Sequence, residues 1–160
     1  MVKEKTNAMR ILDQKKIPYN VITYDSQDGK IDGISVARKI GKDIQFVYKT
    51  LVTQGSSGSI YVFVIPVESE LDLKKAAQAT GEKNVALVQA KDMEKWTGYI
   101  RGGCSPIGMK KLYPTFIDSS ASQFEQIVVS GGKIGVLIEL SVDALQSVTK
   151  AVLQEVVKKK

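Results

Sequence analysis

The chain has 160 residues, which fits one domain, and a core of about this size buries roughly 70% of the unfolded surface without covalent staples. One cysteine excludes an intrachain disulfide framework and a cysteine-rich metal module, and the lack of histidine excludes a Ser-His-Asp triad, a Cys-His dyad and any histidine-ligated metal. Lys and Arg number 23 against 17 Asp and Glu, and the resulting charge of +6 favours a polyanionic partner.

Half of that excess sits in Lys158, Lys159 and Lys160, which also read as a solvated basic tail. No apolar run approaches the roughly 20 residues of a membrane helix. The start, Met-Val-Lys-Glu-Lys, carries no apolar signal core. The expectation is a soluble, cytoplasmic, single-domain protein spanning residues 1–160.

Residues 6–16 predict a helix, with Thr6 or Asn7 as cap and Ala8, Met9, Ile11 and Leu12 at helical spacing; Pro18 stops it. Residues 19–24 alternate as a strand, and the Asp- and Gly-bearing stretch 25–33 reads as a loop. A short amphipathic helix follows over 34–40, ended by Gly41. Residues 46–53 and 59–67 are the strongest strand signals, joined by a Gly-bearing hairpin loop. Both are apolar on both faces, as in a covered sheet or closed barrel.

A helix over 71–80 stops at Gly81, a short strand occupies 85–88, and a short helix 91–97 leads into a Gly-rich loop, 98–108. Strands are expected at 115–118 and 127–130. Gly131-Gly132 then reads as a two-residue turn into a strand over 134–140. Ser141 caps a last helix running from Val142 towards the lysine tail. Hairpins with helices at both ends predict an α+β fold, its mixed sheet partly closed into a barrel and surrounded by helices.

The loop Arg101-Gly-Gly-Cys-Ser-Pro-Ile-Gly-Met-Lys-Lys111 is the densest chemical signal. Its glycines permit close backbone approach, and successive N–H groups in such a loop form a concavity for a carbonyl oxygen, carboxylate or phosphate. An ordinary surface loop with one rigid Pro turn has the same composition. It lacks the Gly-Lys-Ser/Thr of a phosphate-binding loop and is no dinucleotide fingerprint.

Lys49 interrupts an otherwise apolar strand. Its ammonium either snorkels to water or enters a lined cavity, where it polarises a carbonyl or balances a phosphate. Ser130 ends a strand and can donate to a ligand or bond its own turn. Tyr24 offers a phenol to a pocket or half-buries an aromatic ring. Cys104 has no histidine to activate it as a nucleophile. Trp96 and Tyr99 can stack a base or pack the core. Asp25, Asp28 and Asp32 lack calcium-loop spacing and read as a solvated loop.

Tyr-Lys-Thr-Leu-Val at 48–52, Leu-Asp-Leu-Lys-Lys at 71–75, Gly-Gly-Cys-Ser-Pro-Ile-Gly at 102–108 and Val-Ser-Gly-Gly-Lys at 129–133 occur in that order after an early Ile-Pro-Tyr. Together they resemble the YbaK/EbsC family of Cys-tRNA(Pro) deacylases, of the superfamily of bacterial prolyl-tRNA synthetase editing domains. The resemblance runs from Thr6 to about Lys150. It implies a barrel-like mixed sheet, a cleft for the aminoacylated 3′ end of tRNA, and release of cysteine misattached to proline tRNA, with no metal or cofactor. It assigns catalytic roles to Lys49, Tyr24 and Ser130. Substrate contacts fall to Gly102, Gly103, Ser105, Pro106 and Gly108, with Gly131 and Gly132. Leu137 stands where the best-known branch has an aspartate, and Ile31 or Asp32 where it has a pocket phenylalanine. Both departures fit the EbsC-like branch, some of whose members are labelled transcriptional regulators.

Within that resemblance the missing histidine has a chemical reading. A cysteinyl ester carries its own thiol, and a pocket that folds the thiol onto the carbonyl needs no protein nucleophile. The pocket is small, so tRNA selection is expected to involve prolyl-tRNA synthetase in a ternary complex. Two alternatives stand beside this one: a non-catalytic nucleic-acid-binding regulator, and editing of another aminoacyl-tRNA such as Ala-tRNA(Pro). The chain shows no recognition-helix motif, zinc finger or RNA-binding aromatic strand.

Overall fold

The computed structural model describes residues 5–159. Helix α1 (Asn7–Gln14) starts where the Thr6 hydroxyl accepts from Met9 N–H. Strand β1 (Asn20–Thr23) follows the Pro18 break. Helix α2 (Gly33–Ile40) is capped by Asp32, which accepts from Ser35 N–H, and ends in left-handed Gly41, φ 68°. A 3-10 turn at Ile44–Phe46 shifts the expected strand two residues on, so β2 spans Tyr48–Gly55; β3 is Ile60–Pro66.

Asp72 caps helix α3 (Leu73–Thr80), β4 covers Val85–Leu87, and α4 (Ala90–Thr97) ends at left-handed Gly98. Strand β5 (Thr115–Asp118) and a 3-10 turn at Ser119–Gln123 precede the hairpin of β6 (Gln126–Lys133) and β7 (Val136–Ser141). Ser141 caps α5 (Val142–Thr149) through Ala144 N–H, as expected.

Two sheets result. One is antiparallel, ordered β1-β7-β6; the other, ordered β4-β2-β3-β5-β8, is mixed, since β3 pairs parallel with β5 and β5 with the final strand β8 (Val152–Gln154). A single parallel bridge, Val47 with Val128, joins them into the partly closed barrel. Val62, Phe63, Val64 and Ile65 of β3 are fully buried, so both its faces are covered, as its unbroken apolar run implied. The main core lies between the sheets, α1 and α5. No helix among the described residues is long and apolar enough to cross a membrane.

Three expectations need correction. Gly131-Gly132 is not the hairpin turn. Pairing runs from Ser130 opposite Leu137 to Lys133 opposite Val136 across a register shift, so the glycines form a bulge within β6 and the turn is Ile134-Gly135. Gly132 at φ 102° and Gly135 at φ 91° suit those two positions. The last helix does not run into the lysines: Lys150 turns left-handed and β8 follows. Nor is the segment up to Lys158 loose, because fully buried Val156 donates its N–H to Asp118 Oδ1 at 3.1 Å and Lys158 N–H bonds Glu70 C=O at 2.9 Å.

Candidate active site

The joint between the two sheets opens into a cavity of about 390 Å³, within the size range of small-molecule sites. One wall is a cluster of Val36, Val47, Val67 and Leu137; the opposite side carries Met93 and Cys104 from a second cluster. Gly33 lets the start of α2 close against the end of β3: a Cβ there would sit 2.5 Å from Val67 Cγ1. Ile31 then lies over Gly102, whose hypothetical Cβ would be 2.8 Å from Ile31 Cδ1, while Asp32 serves as the helix cap. Ile31 is thus the apolar wall residue of that pair.

Lys49, Tyr24, Ser130 and Gly102 all border this cavity. Lys49 is half-buried, and among the described residues its ammonium has no hydrogen bond or ion pair. Burial holds its pKa below the ordinary lysine value, with the Glu70 carboxylate opposing that shift. Ser130 Oγ accepts from Gly132 N–H at 3.2 Å, which leaves its O–H to donate. Ser130 stands opposite Leu137 in the β6–β7 ladder, so it faces an aliphatic side chain at the position where an aspartate was sought. Tyr24 borders the cavity beneath the Lys39 ammonium, which lies 5.8 Å from its ring centre.

The remaining loop residues lie elsewhere. Gly103 does not border the cavity, and its N–H is used by Ile100 C=O at 3.0 Å. Ser105 is fully buried and accepts from Ile107 N–H at 3.2 Å. Pro106 and Gly108 line a separate groove of about 300 Å³ near α1, where Asn7 Nδ2 donates to Gly108 C=O at 2.7 Å. Gly131 and Gly132 shape the bulge below Ser130: Gly131 C=O accepts from the Thr6 hydroxyl at 2.5 Å.

Cys104 is 6% exposed and burial pushes its thiol up to about 12, so no protein thiolate forms near neutral pH. Tyr99 is a core residue, its hydroxyl donating to Ile107 C=O at 2.7 Å, and stacks no base. Trp96 borders a polar concavity of about 500 Å³ by β4 and α4 that holds neither Lys49 nor Ser130. Among the described residues no three His, Cys, Asp or Glu side chains cluster as a metal site requires. Sequence reasoning missed Thr50, whose hydroxyl lies buried at the cavity edge without a hydrogen-bond partner. Nothing in a strand threonine signals that.

Residues 33–148, which supply most of these walls, match the aminoacyl-tRNA editing domain model. The chain belongs to the aminoacyl-tRNA editing domain family. It is 46% identical over 156 residues to EbsC of Enterococcus faecalis, named for Cys-tRNA(Pro)/Cys-tRNA(Cys) deacylase activity, covering 98% of this chain and 95% of that protein. It is 20% identical over 135 residues to a proline–tRNA ligase of Burkholderia orbicola, covering 82% of this chain and 23% of the ligase. A crystal structure described as a trans-editing enzyme for prolyl-tRNA synthetase superposes with a TM-score of 0.83 at 20% identity, covering 98% of this chain and all of that one; this likeness shows the fold. The α+β editing fold expected from the sequence is the one observed.

Proposed function

We propose that this editing domain releases cysteine from Cys-tRNA(Pro) in trans, in the cytoplasm, using the substrate's thiol as nucleophile. The observation that carries this reading is a cavity with cationic and hydroxyl donors in a chain that has no histidine to activate a protein nucleophile. Lys49 and Ser130 border it, while the one cysteine is held as a neutral thiol. In the proposed step the cysteinyl sulfur bonds to the ester carbonyl carbon, the carbon–oxygen bond to the terminal ribose breaks, and the thiol proton passes to the departing ribose oxygen. The products are a cyclic thioester and free tRNA, and water then opens the thioester.

Such a reaction asks the protein for orientation and charge stabilisation. Holding a reacting pair in place is worth roughly 7–11 kcal/mol, and one placed oxyanion donor roughly 3–4 kcal/mol. Lys49 polarises the ester or holds the terminal phosphate, Ser130 donates to the aminoacyl group, and Tyr24 closes its side. Of the Gly-rich loop, Arg101, Gly102 and Cys104 are the residues at the cavity, so the N–H groups of Gly102 and Cys104 are the candidate oxyanion donors in place of the whole loop. Prolyl-tRNA synthetase is the proposed partner that presents the tRNA, consistent with the kinship to a domain of the ligase.

A panel of charged tRNAs tests this. Cys-tRNA(Pro) should be deacylated at catalytic protein concentration, with Ser-tRNA(Pro) far slower because a hydroxyl is the weaker nucleophile. Rapid serine release would reject the thiol route. Alanine release would reassign the substrate, and failure on every charged tRNA would leave a binding protein.

A further inference from the structure

Among the described residues Thr50 Oγ1 is the one buried side-chain polar atom without a hydrogen-bond partner. The buried threonines are satisfied: Thr53 donates to Tyr61 C=O at 3.1 Å, Thr97 to Met93 C=O at 2.8 Å, Thr115 to Tyr113 C=O at 2.9 Å and Thr149 to Leu145 C=O at 2.7 Å. An orphan hydroxyl in a native interior calls for a cause, and Thr50 borders the cavity.

The backbone of β2 is also unpaired on one side at Thr50. Val67 N–H bonds Val47 C=O at 3.0 Å and Gly55 N–H bonds Ser59 C=O at 2.8 Å, so odd-numbered residues of β2 pair with β3 and even-numbered ones turn their backbone the other way. On that side Val88 N–H reaches Val52 C=O at 2.9 Å, and the Val47–Val128 bridge closes the far end. Thr50 falls between, where neither β4 nor β6 supplies a paired residue.

The cavity's hydrogen-bonding capacity is lopsided. The Lys49 ammonium and the Ser130 O–H are donors, suited to ester and phosphate oxygens. An aminoacyl group also carries an α-amine, which presents N–H groups and needs an acceptor. The exposed Asp32 carboxylate already serves Ser35 N–H at 3.0 Å as a helix cap. Thr50 Oγ1 is the buried acceptor at the cavity that has no partner.

We propose that Thr50 Oγ1 accepts a hydrogen bond from the α-amino group of the aminoacyl substrate, fixing the rotamer in which the side chain meets the carbonyl. Thr50 is then a substrate-binding residue, and the assignment rests on the editing reading above.

The test compares wild type, Thr50→Val and Thr50→Ser. Thr50→Val keeps the shape, removes the orphan hydroxyl and should raise Tm by about 2–4 °C. It should lower kcat/KM on Cys-tRNA(Pro) about tenfold, the loss of one neutral hydrogen bond, and Thr50→Ser should recover most of that rate. Binding of a stable amide-linked cysteinyl adenosine should weaken similarly in Thr50→Val, whereas its analogue lacking the amine should bind both proteins alike. Unchanged kcat/KM in Thr50→Val, a lowered Tm without rescue by serine, or an equal loss with the deamino analogue would each overturn the assignment. A wild type inactive on Cys-tRNA(Pro) would instead refute the editing reading.

Discussion

Gly33→Ala offers a quantitative check on how the cavity is built. The added Cβ would lie 2.5 Å from Val67 Cγ1 and 2.6 Å from Val67 Cβ. Ordinary carbon contacts lie at about 3.5–4.0 Å, so α2 and the end of β3 must separate by about 1 Å. Val67 Cβ cannot rotate away, because it is fixed to the backbone beside the Val67 N–H to Val47 C=O bond. Overpacking of this kind costs about 1–3 kcal/mol, a fall in Tm of about 2–4 °C per kcal/mol at this length. The larger effect should be on catalysis, since Ile31 and α2 form one wall and a shift of about 1 Å in a positioning wall can cost about a hundredfold in rate. Single-turnover release of labelled cysteine from Cys-tRNA(Pro), with thermal unfolding in parallel, measures both. Adding Val67→Ala removes the Cγ1 contact but leaves the Cβ contact, so rescue should be partial. Wild-type Tm together with wild-type single-turnover rate would refute the account of α2 as a tightly seated wall.

Lys49→Met should abolish most activity while leaving the fold at least as stable near pH 7, because burial of an unpaired ammonium opposes folding. The folded-state pKa is lowered, so that penalty is present below it and is relieved as pH rises through it towards the unfolded value of 10.5; denaturant titrations across pH should show the stability gap narrowing. Alkylation of Cys104 at pH 8 should be far slower in the folded protein than in urea, since the thiol is 6% exposed and pushed up to about 12; mass spectrometry follows it, and rapid labelling would contradict the burial. Asp118→Ala should destabilise by about 2–4 kcal/mol, as the carboxylate serves the N–H groups of Val156 and Ser120 from a site 2% exposed. Hydrogen exchange should show the segment after β8 losing protection first.

Most of the architecture was legible because burial wrote itself into pattern. The two-faced apolar runs of β2 and β3 and the Thr6 and Ser141 caps follow from local chemistry. Where the reading slipped, long-range pairing decided. Gly131-Gly132 has the composition of a turn, yet the β6–β7 register moves the turn three residues on and uses the pair as a bulge. Strand β8 is three residues long and exists because β5 offers it a parallel edge. At the site, the resemblance singled out Lys49, Tyr24 and Ser130, which border one cavity, and a Gly-rich loop of which Gly103, Ser105, Pro106 and Gly108 do not. Pro106 and Gly108 pack towards α1, where Gly108 has room for neither Asn7 nor Tyr99 to yield to a side chain. Thr50 was invisible because a missing partner is a property of three dimensions.

The lone Val47–Val128 bridge has an evolutionary corollary. A recognition chamber set at a seam, upholstered by clusters separate from the main core, can be enlarged, narrowed or recharged by exchanging Ile31 or Leu137 while the framework stays intact. A lineage that must discard a different misloaded residue can therefore refit the lining and keep the house.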